Sequence, residues 1–73
     1  MINARTEKVD FEAVGKLIDE KFISWAELAR MAGISQATIF SIKAGRRNAS
    51  YRTIRKIAQA LNVQPSDIIR NHN

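Results

Sequence analysis

The side chains able to do covalent chemistry are few. The 73 residues contain no cysteine and one histidine, His72, so disulfide frameworks, thiol nucleophiles and Cys/His zinc sites are excluded by inventory. The acids Asp19, Glu20 and Glu27 stand on short amphipathic stretches with no nucleophile–base pair or glycine-rich phosphate loop beside them, so no enzyme and no cofactor is expected. What remains is hydrogen bonding and charge. Gln36, Ser41, Lys43, Arg46, Arg47, Asn48, Ser50 and Arg52 crowd donors and cations into less than a quarter of the chain. That chemistry recognises an anion; it does not transform one.

The distribution of charge sharpens this. Residues 1–34 carry five cations against six acids, whereas residues 35–73 carry seven cations against Asp67 alone. A small domain with its positive charge confined to one half has the footprint of a polyanion binder. Nucleic acid leads, and an anionic membrane surface follows. Lipid binding through the basic face of residues 50–61 would need an apolar face that the core already claims. No run of about twenty apolar residues exists for a membrane span, and Arg5, Glu7, Lys8, Asp10 and Glu12 interrupt any leader-like stretch. The expected location is the cytoplasm.

The elements that must hold these residues are helices. Apolar residues recur at helical spacing nearly throughout, no strand pattern competes, and the composition suits one domain. Asp10 is the N-cap of a first helix with Phe11, Val14, Leu17, Ile18 and Phe22 inward. Ser24-Trp25-Ala26-Glu27 is a capping box opening a second, which ends at Gly33. Ser35 caps a third, with Ile39 and Ile42 inward and Gly45 at its end. Ser50 caps a fourth, with Ile54, Ile57, Ala58 and Leu61 inward and Asn62 after it. Pro65 starts a fifth, short helix carrying Asp67 in its first turn. The fold expected is a compact all-α, five-helix domain. Residues 1–9 are expected to form a loose N-terminal arm, 10–70 the domain, and 71–73 a C-terminal tail.

Two short helices joined by a glycine turn, then a basic loop and another capped helix, form a helix-turn-helix pattern. The stretch WAELARMAGISQATIFSIKAG, residues 25–45, resembles the helix-turn-helix of the lambda-repressor-like family, the Cro and Xre type of phage and bacterial transcription regulators. Leu28, Ala29, Gly33, Ile34, Ile39 and Ile42 fall where that family places core and turn residues, and the likeness continues through IRKIAQALNVQPSDII to about residue 70. The resemblance implies a lambda-repressor-like DNA-binding domain.

It also implies roles. On the outward arc of the third helix lie Ala37, Phe40, Ser41 and Ala44, with Gln36 at the N-terminal edge. By resemblance Gln36, Ala37 and Ser41 occupy base-reading positions, with Phe40 between them. A glutamine amide pairs with adenine N6 and N7, worth roughly 1–3 kcal/mol of discrimination. Ala37 either touches a thymine methyl or is simply small, and Phe40 either contacts methyls or packs back beside Tyr51. Arg46, Arg47, Asn48 and Arg52 are the resemblance's phosphate contacts, joined by Lys43 at the helix end and by Ser50, whose helix N-terminus offers free N–H groups. At the first residue of the second helix the family frequently has a phosphate-binding glutamine. This chain has Trp25, whose indole either donates to a phosphate or packs across the corner of the first two helices.

Family members commonly bind pseudo-palindromes as dimers through surfaces near the last helix, which makes Ile68, Ile69 and the Asn62–Pro65 loop the interface candidates, with capping of the core as the alternative role of the apolar residues there. The implied function is a sequence-specific regulator of double-stranded DNA, a Cro-like repressor occluding a promoter from a pseudo-palindromic operator, binding as a homodimer with no small-molecule ligand. A chain of this length leaves no room for a sensing domain, so a stand-alone regulator is expected. The competing reading is an antitoxin-like or phage protein-interaction module with an ancillary helix-turn-helix, kept open by the chemically plain outer face of the third helix.

Overall fold

The computed structural model describes residues 6–70. Four α-helices follow one another: α1 Phe11–Lys21, α2 Trp25–Ala32, α3 Gln36–Lys43 and α4 Tyr51–Leu61. Two short strands, β1 Thr6–Glu7 and β2 Ala49–Ser50, pair antiparallel, and a 3-10 turn occupies Pro65–Asp67.

Each helix begins where a side chain satisfies its free N–H groups. Asp10 Oδ1 accepts from the amides of Glu12 at 3.1 Å and Ala13 at 3.2 Å. In the capping box, Ser24 Oγ accepts from the Glu27 amide at 3.0 Å and Glu27 Oε1 accepts from the Ser24 amide at 2.9 Å. Ser35 and Ser50 cap α3 and α4 by accepting from Thr38 and Thr53. Such caps contribute about 1 kcal/mol each.

All four helices end the same way. A residue in the left-handed region, Phe22, Gly33, Gly45 or Asn62, turns the chain. The next amide then reaches back five residues, from Ile23 to Ile18, Ile34 to Ala29, Arg46 to Ser41 and Val63 to Ala58. Glycine takes this conformation freely, and asparagine tolerates it. Phe22 does not suit it, and its ring is 93% exposed. The expectation that Phe22 continues the inward face of α1 is therefore corrected: the helix stops one residue earlier, and the reversal turns the side chain to solvent.

The core lies where α2 packs on α3 and α4. Val14, Leu28, Ala29, Ile39, Ile57, Ala58 and Leu61 are essentially inaccessible, and full burial of an aliphatic side chain stabilises by about 1.5–3 kcal/mol. Among the described residues no polar or charged residue is buried.

Two expectations fail at the ends of the domain. Residues 6–9 are not a loose arm. Thr6 pairs with Ser50 and Glu7 with Ala49, Val9 is buried and bridges Ile69, and the Arg70 and Asp10 amides donate to the carbonyls of Lys8 and Ile68, both at 2.8 Å. The fifth helix starts at Pro65 as expected but amounts to a single 3-10 turn, Pro65–Asp67, and not an α-helix. After the 3-10 turn, capped by Asp67 Oδ2 accepting from the Gln64 amide at 3.0 Å, Ile68–Arg70 give their backbone groups to residues 8–10 instead of to a helix. Long-range pairing wins because it satisfies these groups while burying Val9 and Ile68 together. The remaining arm, residues 1–5, and the tail 71–73 with His72 lie outside the described residues.

Candidate nucleic-acid interface

The position of α3 is set from its inner side. Ile39 and Ile42 are buried against the core, Ala29 of α2 is fully covered, and Gly33 at φ 75° makes the turn between the two helices. With that face locked, Gln36, Ala37, Phe40, Lys43 and Ala44 are exposed and Ser41 is half-buried. The four base-contact candidates therefore share one outer surface. Ser35 is engaged as the cap, its hydroxyl also 2.8 Å from that of Thr38.

Phe40 stays at the surface, 44% exposed, and makes no ring pair with Tyr51 among the described residues. An apolar ring standing on the outer face of α3 is available to thymine methyl groups.

The cations that follow α3 in the chain stay at the surface, and Arg47 and Asn48 share a cavity with Lys43. Arg46, Arg47, Asn48 and Arg52 are all exposed, and Arg46, Arg47 and Arg52 make no ion pair with a described residue. Two other candidates are more committed. Ser50 Oγ accepts from the Thr53 amide at 3.2 Å and donates to Thr53 Oγ1 at 3.1 Å, so its contribution to an anion is the helix N-terminus rather than its hydroxyl. Lys43 Nζ lies 5.2 Å from the centroid of the Trp25 ring, a cation–π distance.

Trp25 packs across the corner of α1 and α2, its ring 5.6 Å from that of Phe11 at an interplanar angle of 51°. A Cβ added at Gly15 would lie 3.9 Å from Trp25 Cζ2, ordinary contact. The packing reading of Trp25 is the one observed. The indole N–H has no hydrogen-bond partner among the described residues, so the donor remains available to a phosphate.

Sequence reasoning missed Lys8 and Arg70. Pairing of residues 8–10 with 68–70 carries both to the C-terminal end of α3, where they line a cavity with Lys43, Arg47 and Asn48. The one available signal was Val9, a lone apolar residue among charges.

Of the two isoleucines among the interface candidates, Ile68 is fully buried within the chain. That assignment is corrected: its side chain is core and has no surface to offer a partner. Ile69 is half-buried and lines a mainly apolar cavity of about 550 Å³ with Tyr51, Ile54 and Pro65. Among the described residues no group of three or more His, Asp or Glu side chains could hold a metal ion, and no helix is long and apolar enough to cross a membrane.

Comparison with known proteins gives two findings. The family model described as helix-turn-helix matches residues 16–68. The chain is similar in structure to the restriction-modification controller protein C.AhdI from Aeromonas hydrophila, with a TM-score of 0.68 and 28% sequence identity over 77% of this chain and 85% of that one. The search of curated proteins returns no match.

Proposed function

Because this chain belongs to the helix-turn-helix family of Cro- and Xre-type DNA-binding transcription regulators, we propose that it reads a specific duplex operator through the outer face of α3 and regulates the promoter beside it. The observation that carries this reading is the face itself. Gln36, Ala37, Phe40 and Ser41 lie on the side of α3 opposite the buried Ile39 and Ile42, and exposed Lys43, Arg46, Arg47 and Arg52 follow them in the chain.

Mechanism follows from the division of labour among these groups. Arginine and lysine contacts to phosphates fix the domain on the backbone without reading sequence. Gln36 reads an adenine edge by donating and accepting together, while Ala37 and Phe40 meet thymine methyls and Ser41 hydrogen-bonds a neighbouring base. The N-terminus of α4, free beyond Ser50, holds one further phosphate, and the indole N–H of Trp25 another. A bound domain blocks polymerase from an overlapping promoter, so repression by occlusion needs no chemistry.

The likeness to C.AhdI supports a controller role, in which the regulated genes are those of a restriction-modification system. A homodimer on a pseudo-palindrome follows from the half-site geometry of such domains, with the Tyr51–Ile69 surface as the contact between copies. The second reading, a protein-interaction module, is favoured by the exposed apolar side chains of Phe22 and Met31.

Selection from a random duplex library at fixed near-physiological salt tests the proposal. Enrichment of an inverted repeat with half-sites about one helical turn apart is expected. Salt-sensitive binding without any enriched sequence would shift the function to the protein-interaction reading.

A further inference from the structure

The two ends of the described chain meet beside α3. Lys8 and Arg70 come from residues joined by the hydrogen bond from the Arg70 amide to the Lys8 carbonyl and by the Val9–Ile69 bridge. Lys43 comes from the last turn of α3. Arg47 and Asn48 come from the loop after it, reversed by Gly45 at φ 81° and anchored by buried Ala49 in β2. These residues line one cavity of about 250 Å³ whose walls hold four cations and no acid. Glu7 lines the adjoining cavity, which shares Lys8, Asn48 and Arg70 with this one.

Four cationic residues border one concavity, where a bound anion would offset the repulsion among their charges. The backbone holds them there regardless. Lys8 sits on a paired segment whose next residue is buried, so its backbone is placed beside the cavity before any ligand arrives. Lys43 is steadied by the Trp25 ring at 5.2 Å. Arg70 is also engaged within the chain, so the weight falls on Lys8, Lys43 and Arg47, with Asn48 able to donate its amide. Ammonium, guanidinium and amide donors in one small concave site suit the oxygens of a single phosphate group.

We propose that this cavity is a phosphate clamp built from the joined chain ends, holding one backbone phosphate of the duplex just beyond the C-terminal end of α3. The proposal rests on the DNA-binding reading above and adds to it a contact from Lys8, outside the helix-turn-helix. A phosphate held there extends the footprint and carries no base information.

The test is a salt series on the full chain and its Lys8→Gln variant, with the selected operator and a random duplex, alongside Lys56→Gln as a control for net charge. Lys8 is exposed and only its backbone takes part in the pairing, so thermal unfolding of the variant should match the parent. Expected is a slope of log K against log salt shallower by about one for Lys8→Gln on both duplexes. Its loss of affinity should then be about three- to fourfold greater at 50 mM than at 200 mM salt. Lys56→Gln should keep the parental slope. A parent that prefers its operator, with the same slope in Lys8→Gln, overturns the clamp and leaves the DNA-binding reading standing.

Titration with inorganic phosphate, followed by the amide resonances of Lys8, Gly45 and Asn48, separates the sources of the phosphate. Saturable shifts that Lys8→Gln abolishes, together with the altered duplex slope, support the clamp. The same shifts with an unaltered slope make it a site for free phosphate and overturn the duplex assignment. If the parent binds no duplex, the DNA-binding reading fails with the duplex assignment, and these shifts alone decide whether the cavity takes phosphate.

Discussion

The Lys43 ammonium stands 5.2 Å from the centroid of the Trp25 ring, tying the last turn of α3 to the first turn of α2. Phe11 lies on the same indole at 5.6 Å. One side chain thus links three helices beside the outer face of α3, and its polar edge remains unpaired among the described residues.

Two substitutions separate packing from phosphate contact at this position. Trp25→Ala should cost about 2 kcal/mol of stability, since a half-buried aromatic loses part of its burial and its ring contacts. Trp25→Phe keeps an aromatic surface for Phe11 and Lys43 but removes the N–H donor. It should unfold within about 1 kcal/mol of the parent while weakening operator and random duplexes alike. Unchanged affinity in Trp25→Phe would leave the indole as packing alone.

Gln36 and Arg47 should fail differently. Gln36→Ala is expected to relax preference at one base position in each half-site, losing roughly 1–3 kcal/mol of discrimination there. Arg47→Ala should weaken all duplexes similarly and make the salt dependence shallower. Competition binding against operators mutated one base pair at a time distinguishes the two, and parallel losses on every duplex from both variants would contradict the division of roles.

Phe22 offers a gain in stability. It holds φ 57° while 93% exposed, so its backbone bears the left-handed penalty of about 1–2 kcal/mol and its ring returns little. Phe22→Gly should stabilise by about 1 kcal/mol, raising Tm by roughly 4–8 °C in a domain of this size. A lower Tm would mean that the ring is held by contacts beyond those described.

The paired ends should matter to the fold. Val9 is 6% exposed and bridged to Ile69, so Val9→Ala should cost about 2 kcal/mol, where a loose arm would tolerate it freely. Chemical denaturation measures this directly.

Ile68 and Ile69, adjacent in sequence, should behave oppositely. Ile68→Ala empties a fully buried position and should cost about 2–5 kcal/mol without altering self-association at temperatures where it is folded. Ile69→Lys should chiefly weaken association of two copies, read by sedimentation at increasing concentration and by the cooperativity of operator binding. Equal association of Ile69→Lys and the parent would move the dimer contact elsewhere.

How much was legible in the chain depended on range. The capping box Ser24-Glu27, the caps Asp10, Ser35 and Ser50, and the turn residues Gly33, Gly45 and Asn62 act over a few residues, where backbone donors and left-handed positions have local solutions. Ile39 and Ile42 at helical spacing then determined which face of α3 is inward, and so which of Gln36, Ala37, Phe40 and Ser41 face out. Charge counting located the basic half. The family followed from these residues together, and the comparisons agree.

Only the tertiary structure decided what happens where local preferences are weak. Thr6–Glu7 and Ala49–Ser50 are too short to show alternation, and their pairing depends on the helices between them bringing the strands together. Phe22 belonged to the apolar stripe of α1 by spacing, but termination one residue earlier turned it outward. Ile68 and Ile69 are indistinguishable by type, and the pairing of 68–70 with 8–10 buried one and left the other at the surface. The same pairing drew Lys8 and Arg70 to the end of α3 beside Lys43 and Arg47. Periodicity reports the face of a helix, whereas the meeting of two chain ends is set by the packed core between them.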